Sequence, residues 1–290
     1  MRVLTFCCLA LTWSCSLLAW ASPPLRLVGN PWEPYVMTSP AGQGLAVDIV
    51  RTALGRSGYE TTFREEPWER VLYGIQNGSH DVIVDIWYAP ERERLGQFSK
   101  PFLANRLRFI ALKTRAITFS TLEDLRPYRL AVVRGYAYSK EFDQDRTLDK
   151  VAVADFEQAL RMLLAGRVDL AIEEEHVARR VIERVASAQS SRLQFLDKPL
   201  AEKGLHMLVS EDHPEQEKII AQFDDTIERM KADGTYADIF ARYDLVWPPT
   251  QQVSDIASCH ARCALPDKDA GRPREVPAPA PGSAGWQPRH

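Results

Sequence analysis

An internal repeat is the feature that most limits how this chain can fold. Residues 68–85 and 156–173 align without a gap, and each stretch begins with an aromatic residue and Glu, carries Leu at its fifth position, and reaches Gly and then Asp. Each stretch predicts a helix of about nine residues, ended by Gly in the left-handed conformation, followed by a short apolar strand of a parallel sheet. The repeat therefore indicates two similar α/β lobes.

The segments around the repeat fit the same scheme. Predicted strands are Leu25–Gly29, Leu130–Val133, and two short strands that flank the second lobe, Arg108–Leu112 and Leu205–Val209; predicted helices are Leu45–Gly55, Gln216–Lys231 and Ala237–Tyr243. We place lobe 1 at residues 25–102 and 206–250, and lobe 2 at residues 106–200. Because the chain crosses twice between the lobes, a hinge that opens and closes a cleft is expected.

The N-terminus predicts an export signal at residues 1–21. Val3 to Leu25 carry no charge, and Ala19-Trp-Ala21 supplies the small residues of a cleavage site, so we expect cleavage after Ala21 and residence in the periplasm. An uncleaved membrane anchor and a lipoprotein modified at Cys15 are the alternatives. The solute-binding domain then covers residues 22–250.

Residues 251–290 predict a disordered tail, because they contain six prolines and no apolar periodicity. Cys259 and Cys263, at the base of this tail, are the cysteines that remain after cleavage. A small disulfide loop is favoured in an oxidising compartment, with free thiols and a metal site as weaker alternatives.

Charge and motifs exclude several classes of function. Lys and Arg total 36 against 39 Asp and Glu, which gives no basic excess for nucleic acid. The sequence has no Gly-x-Ser-x-Gly, no His-Glu-x-x-His and no phosphate-binding loop, and its histidines are scattered. We therefore expect a binding module without cofactor or metal rather than an enzyme.

The position of the binding site follows from the predicted sheet. In open α/β sheets a ligand binds beyond the carboxyl ends of the strands. In this chain those ends carry aromatic and acidic residues, at 30–35, 85–88, 135–138 and 173–175, and Arg92 follows close behind the second of these groups. We expect the site at this edge.

These residues resemble the bacterial extracellular solute-binding proteins of family 3, the type that binds polar amino acids. The resemblance covers about residues 25–245 and rests on the order and spacing of seven motifs: Trp32-Glu-Pro-Tyr35, Gly44-Leu-Ala-Val-Asp48-Ile, Trp68 with Gly78-x-x-Asp81, Tyr88-Ala-Pro-Glu-Arg92 followed by Phe98-Ser-Lys-Pro101, Val133-x-Gly135, Gly166-Arg-Val-Asp169 and Gly234-Thr-Tyr236. It implies the type II periplasmic-binding-protein fold, two α/β lobes joined by a two-strand hinge. It also implies a monomer that binds a small polar solute, an amino acid or a related carboxylate or amine, for delivery to an ABC permease.

The resemblance also implies roles for single positions. Trp68 would stack on the solute, and Trp32 or Tyr35 would form a wall of the pocket. Arg92 would hold a carboxylate through its planar two-donor fork, and Gly135 with the N–H groups after it would donate to the same carboxylate.

The chain departs from the family pattern at two places. The Ser or Thr that normally helps to hold the carboxylate is replaced by Trp87 or Tyr88, because the run before Arg92 is one residue short. Tyr136 stands where Thr or Ser usually follows Gly135. We therefore expect Trp87 and Tyr136 in a bulkier and more aromatic site.

The acidic residues leave two interpretations open. By its spacing from Asp169, Glu174 falls where the family has an acidic residue, usually Asp, that takes the ammonium of the solute. The run Glu173–Glu175 is equally compatible with the start of a helix, where negative charge is favourable. Asp85 has no family role that transfers, so we do not assign it to the site.

The other candidate residues also have interpretations in which they play only a structural role. Arg92 is compatible with a surface arginine paired with a neighbouring glutamate, and Trp32 and Trp68 with packing in the core. Two other functions use the same scaffold: an enzyme similar to cyclohexadienyl dehydratases, with Glu173 or Glu174 as general acid, and a solute-sensing accessory protein.

Overall fold

The protein, described by a computed structural model over residues 23–38 and 42–245, is a mixed α/β structure. Its strands are β1 (Leu25–Gly29), β2 (Thr61–Glu65), β3 (Val82–Trp87), β4 (Gly96–Phe98), β5 (Leu103–Leu112), β6 (Arg129–Val133), β7 (Asp149–Val153), β8 (Leu170–Glu174), β9 (Leu193–Phe195) and β10 (Ala201–Ser210). Its α-helices are α1 (Leu45–Arg56), α2 (Trp68–Gln76), α3 (Lys140–Gln144), α4 (Phe156–Leu164), α5 (Glu175–Ala186), α6 (Gln216–Ala232) and α7 (Thr235–Ala241). Short 3₁₀ helices cover Pro90–Leu95, Leu122–Leu125 and Ser187–Arg192. The predicted export signal and tail, with Cys259 and Cys263, lie outside the described residues.

The strands form one sheet whose two halves repeat the same order. Along the sheet the order is β2-β1-β3-β10-β5-β8-β6-β7, and both three-strand groups are parallel. We call β1, β2 and β3 with α1 and α2 the first half, and β6, β7 and β8 with α3 and α4 the second half. In each half the strand that comes first in the sequence (β1 or β6) lies between the other two. The second strand (β2 or β7) forms the edge of the sheet, and the third (β3 or β8) lies toward its centre. The repeat in the sequence therefore corresponds to a real structural repeat.

The conserved spacing inside the repeat has a structural cause. The two repeat helices, α2 and α4, are nine residues long, and Gly78 and Gly166 follow them with φ of 72° and 68°, the left-handed region that favours glycine. Asp81 accepts a hydrogen bond from the backbone N–H of Arg26 at 2.8 Å, and Asp169 accepts one from that of Arg129 at 2.9 Å. Each aspartate thus fixes the entry of its half's third strand beside the first.

The two long strands in the middle of the sheet differ from the sequence prediction. The sequence predicts short strands at 108–112 and 205–209, whereas β5 and β10 each have ten residues and pair with each other in antiparallel fashion. Leu103 pairs with Leu205 and Leu107 with Ala201, so the additional residues join the two strands at the centre of the sheet. Both strands therefore run from one half of the sheet into the other.

The apolar interior runs through both halves. Side chains from α1, α6 and α7 cover the first half, and those from α4 and α5 cover the second, in one contiguous hydrophobic core that β5 and β10 share. The described residues form one compact unit. The sheet with two repeated halves agrees with the predicted two-lobed α/β architecture, and the predicted lobe boundaries stay a prediction.

Candidate functional site

A small cavity lies where the carboxyl ends of the parallel strands of both halves meet. Its lining residues come from the ends of β1 and β3, the start of α2, the 3₁₀ helix after β3 and the turn after β6; they are Asn30, Trp32, Trp68, Asp85, Trp87, Arg92 and Tyr136. The space open to the centre of a water molecule is about 10 Å³, enough for about one water. A solute of amino-acid size therefore requires the walls to separate.

The aromatic walls pack edge to face. The Trp87 ring lies 5.3 Å from Trp32 and 5.4 Å from Tyr136, at interplanar angles of 77° and 81°. Trp68 and Tyr136 meet at 6.0 Å and 88°. Such contacts are the preferred geometry of aromatic pairs. They hold the rings in fixed positions around the polar groups of the cavity.

Hydrogen bonds link the two halves directly across this cavity. Trp68 Nε1 donates to the carbonyl oxygen of Gly135 at 3.0 Å, and Asn30 Nδ2 donates to the Tyr136 hydroxyl at 3.3 Å. A Cβ atom at position 135, where φ is +76°, would stand 3.3 Å from Trp68. Glycine at this position therefore allows both the turn and the close approach of the indole.

Arg92 reaches the cavity with its guanidinium already bound to backbone oxygens. Its Nη1 donates to the carbonyl of Trp87 at 2.8 Å and its Nη2 to that of Gly135 at 2.7 Å. The guanidinium carbon lies 5.1 Å from the centre of the Trp68 ring, a cation–π contact. Burial lowers its pKa to about 10, so it stays protonated at neutral pH. Arg92 is thus buried in the site and is not a surface arginine.

Asp85 is the buried carboxylate of the cavity. It is 5% exposed, and neither oxygen has a hydrogen-bond partner of standard geometry among the described residues. Burial raises the pKa of this carboxyl well above its usual range. No ion pair within the described ranges joins Asp85 to Arg92. Asp85 and Asn30 were not among the predicted site residues, although both stand at the strand ends where the sheet rule places a ligand.

Three predicted site residues do not line the cavity. Glu174 caps helix α5: its carboxylate accepts from the backbone N–H groups of His176 at 2.8 Å and Val177 at 3.0 Å. Tyr35 packs under Trp32 at 4.8 Å. Gly135 contributes its carbonyl oxygen to Trp68 and Arg92, so in this conformation it accepts hydrogen bonds through that oxygen.

Glu173 lies behind the aromatic wall. Its Oε1 accepts from Trp32 Nε1 at 3.1 Å and from the backbone N–H of Glu174 at 2.8 Å, while its Oε2 has no partner among the described residues. Burial raises the pKa of Glu173 to about 8. The group is therefore largely protonated at neutral pH and can donate a proton.

In residues 23–38 and 42–245 no three His, Cys, Asp or Glu side chains are grouped so that they would hold a metal ion. None of the helices in these ranges combines the length and the hydropathy needed to cross a membrane.

Comparison with known proteins identifies the family of this chain. A relative from Escherichia coli (strain K12), "ABC transporter arginine-binding protein 1", is 22% identical over 198 residues, which are 68% of this chain and 79% of that protein. An ancestral arginine-binding protein bound to arginine has a similar structure, with a TM-score of 0.65, 19% identity, and coverage of 77% of this chain and 99% of that one. A histidine kinase sensor domain similar to periplasmic binding proteins has a TM-score of 0.68 at 21% identity, covering 77% of this chain and 96% of that one. The family model for bacterial extracellular solute-binding proteins, family 3, matches residues 27–245, and the chain therefore belongs to that family.

Proposed function

We propose that this protein binds a small polar solute, an amino acid or a related carboxylate or amine, in the cavity between the two halves of the sheet. The observation that carries the proposal is that a carboxyl group, Asp85, and a guanidinium, Arg92, line the same cavity, and that no ion pair among the described residues joins them. A carboxylate and a guanidinium held apart match the two charges of a zwitterion. Arginine is the first solute to test, because the Escherichia coli relative is named for it.

Binding requires opening, because the cavity has room for about one water. The hydrogen bonds from Trp68 and Arg92 to Gly135 join the halves and break when the halves separate. A solute carboxylate that reaches Arg92 in the open state replaces one carbonyl oxygen by a charged acceptor, which makes a stronger hydrogen bond.

The proposed setting is the periplasm, after cleavage of residues 1–21, with the monomer delivering its solute to an ABC permease. Mass spectrometry and size measurement on protein exported by a Gram-negative host test the cleavage and the monomer. An uptake assay with labelled solute, in cells with and without the gene, tests delivery. Solute binding without an uptake defect would favour a sensing role.

The decisive experiment is a thermal-shift screen of the exported protein against amino acids, polyamines and small carboxylates. A solute present at 100 times its dissociation constant should stabilise the protein by roughly 2.7 kcal/mol. Calorimetric titration then gives the affinity and a stoichiometry, expected to be one to one. If no solute of the panel shifts the transition, the proposal fails.

The buried Glu173 supports a second candidate, a dehydratase-type enzyme. Its pKa of about 8 and its free Oε2 suit a general acid. Incubation of the protein with each solute that binds, followed by mass analysis for a product lighter by one water, separates the two candidates. An unchanged solute supports binding without catalysis.

A further inference from the structure

Asp85 poses a question that the family resemblance does not answer. A buried polar group without a partner costs free energy, and a carboxylate costs more than a neutral group. Native proteins therefore pair nearly all such groups, and an exception calls for an explanation. Asp85 stands at 5% exposure with both oxygens unsatisfied, in the wall of the cavity.

The other acidic residues near the site have structural partners. Glu174 is occupied by the backbone N–H groups at the start of α5, and its Oε1 is 3.1 Å from His176 Nδ1. Glu173 accepts from Trp32 and from the backbone through Oε1; its Oε2 has no partner among the described residues, but Glu173 does not line the cavity. The carboxylate that faces the cavity belongs to the first half of the sheet, at Asp85, and not to the second half, where the resemblance places Glu174.

The surroundings of Asp85 favour a positive charge. The indoles of Trp32, Trp68 and Trp87 line the same cavity, and an indole attracts a cation through the negative face of its ring. Trp68 already holds the Arg92 guanidinium in this way, at 5.1 Å. A carboxylate without partners inside aromatic walls is a site for an ammonium or guanidinium group.

We infer that Asp85 binds the cationic nitrogen of the solute, with the indoles of Trp32, Trp68 and Trp87 around it, and that this contact selects amines and guanidines over anions. The inference rests on the proposed function and specifies its solute class. A solute cation finds in Asp85 a carboxyl group with no standard hydrogen bond among the described residues, whereas Arg92 keeps the carbonyl oxygen of Trp87, in its own half of the sheet, when the halves separate. The cationic group is therefore the part of the solute that the protein requires.

The test is calorimetric titration of the exported protein with L-arginine, with agmatine, which lacks the carboxylate, and with glutarate, which lacks a cation. We expect the wild type to bind L-arginine and agmatine but not glutarate. Asp85→Asn should weaken binding of both cations by 30-fold or more. It should leave the melting temperature of the free protein unchanged or higher, because the buried Asp85 carboxyl makes no hydrogen bond of standard geometry among the described residues.

Asp81→Asn is the matched control. It changes an aspartate just before the same strand, but Asp81 is paired with Arg26 at 2.6 Å, so this variant should lower the melting temperature and keep the affinity for L-arginine. Binding of glutarate by the wild type would overturn the inference and leave the proposed function standing. Binding of L-arginine and agmatine by Asp85→Asn within threefold of wild type would also overturn the inference and leave the proposed function standing. If no solute of the wider panel binds, both fail.

Discussion

Replacing Glu173 by glutamine should change how the stability of this protein depends on pH. The side chain is 1% exposed, and burial raises its pKa from 4.5 to about 8. Between these values the folded protein keeps a proton that the unfolded chain has lost. The favourable contribution of the neutral carboxyl is complete below pH 4.5 and falls as the pH rises toward 8.

The size of the effect follows from proton linkage. Where the folded and unfolded states differ by one bound proton, the free energy of unfolding changes by about 1.4 kcal/mol per pH unit. Between pH 4.5 and pH 8 the total change therefore amounts to about 5 kcal/mol. Glutamine is a neutral side chain of the same shape, and its oxygen can accept from Trp32 and from the backbone N–H as Glu173 does. Glu173→Gln therefore resembles the protonated wild type at every pH.

Urea unfolding of the wild type and of Glu173→Gln at pH 5.5 and pH 7.5 measures how the difference in their free energies of unfolding depends on pH. The stability of Glu173→Gln relative to wild type should rise by about 2.7 kcal/mol between the two pH values. Glu183→Gln, on the same helix that follows Glu173 but with a side chain that is 69% exposed, controls for the loss of a surface charge. If the difference between wild type and Glu173→Gln is the same at both pH values within about 0.5 kcal/mol, Glu173 is ionised in the folded protein and the argument from burial is refuted.

Four further predictions concern the site, its closure and export. Arg92→Lys should weaken solute binding as Arg92→Ala does, by roughly 2–5 kcal/mol in calorimetric titration, because lysine lacks the two-donor fork; binding by Arg92→Ala within twofold of wild type would place the anion contact elsewhere. Trp68→Ala should also weaken binding, through lost stacking and with little dependence on salt. A solute that enters the open state and holds both halves should reduce the radius of gyration of that state in small-angle scattering, and an unchanged profile would argue against hinge closure. Mass spectrometry of exported protein should show Ser22 as the first residue, and a chain that begins at Met1 would contradict cleavage.

The repeat made much of the fold predictable. Helix, glycine turn and strand occur at the same spacing in both halves, and the aspartates at 81 and 169 make equivalent hydrogen bonds at the start of β1 and β6. The lengths of β5 and β10 were not predictable in this way. The central part of β5 carries Asn105, Arg106 and Arg108, which interrupt the apolar run by which a buried strand is recognised. The pairing of β5 with β10 provides the backbone hydrogen bonds of this part of the strand. It joins segments that are far apart in the sequence, so the local pattern does not show it.

The position of the candidate site was predictable from the predicted sheet, but the structural role of each acidic residue was not. The rule on strand ends placed Trp32, Trp87, Arg92 and Tyr136 at one edge, and the structure gathers them around one cavity. Their contact with a solute stays a prediction. The strand end at Glu173–Glu175 leads into α5 without a loop, so the backbone N–H groups of that helix take Glu174 as a cap.

Three buried carboxyl groups in this region therefore differ by their partners and not by their burial. Glu174 accepts hydrogen bonds from the N–H groups at the start of α5. Glu173 has two donors on one oxygen and none on the other, and burial keeps it protonated. Asp85 has no standard donor and faces the cavity. A sequence shows the acidic residues but not their donors, because the donors come from other segments of the chain. We infer that the partner of Asp85, the group without a standard donor, comes from the solute.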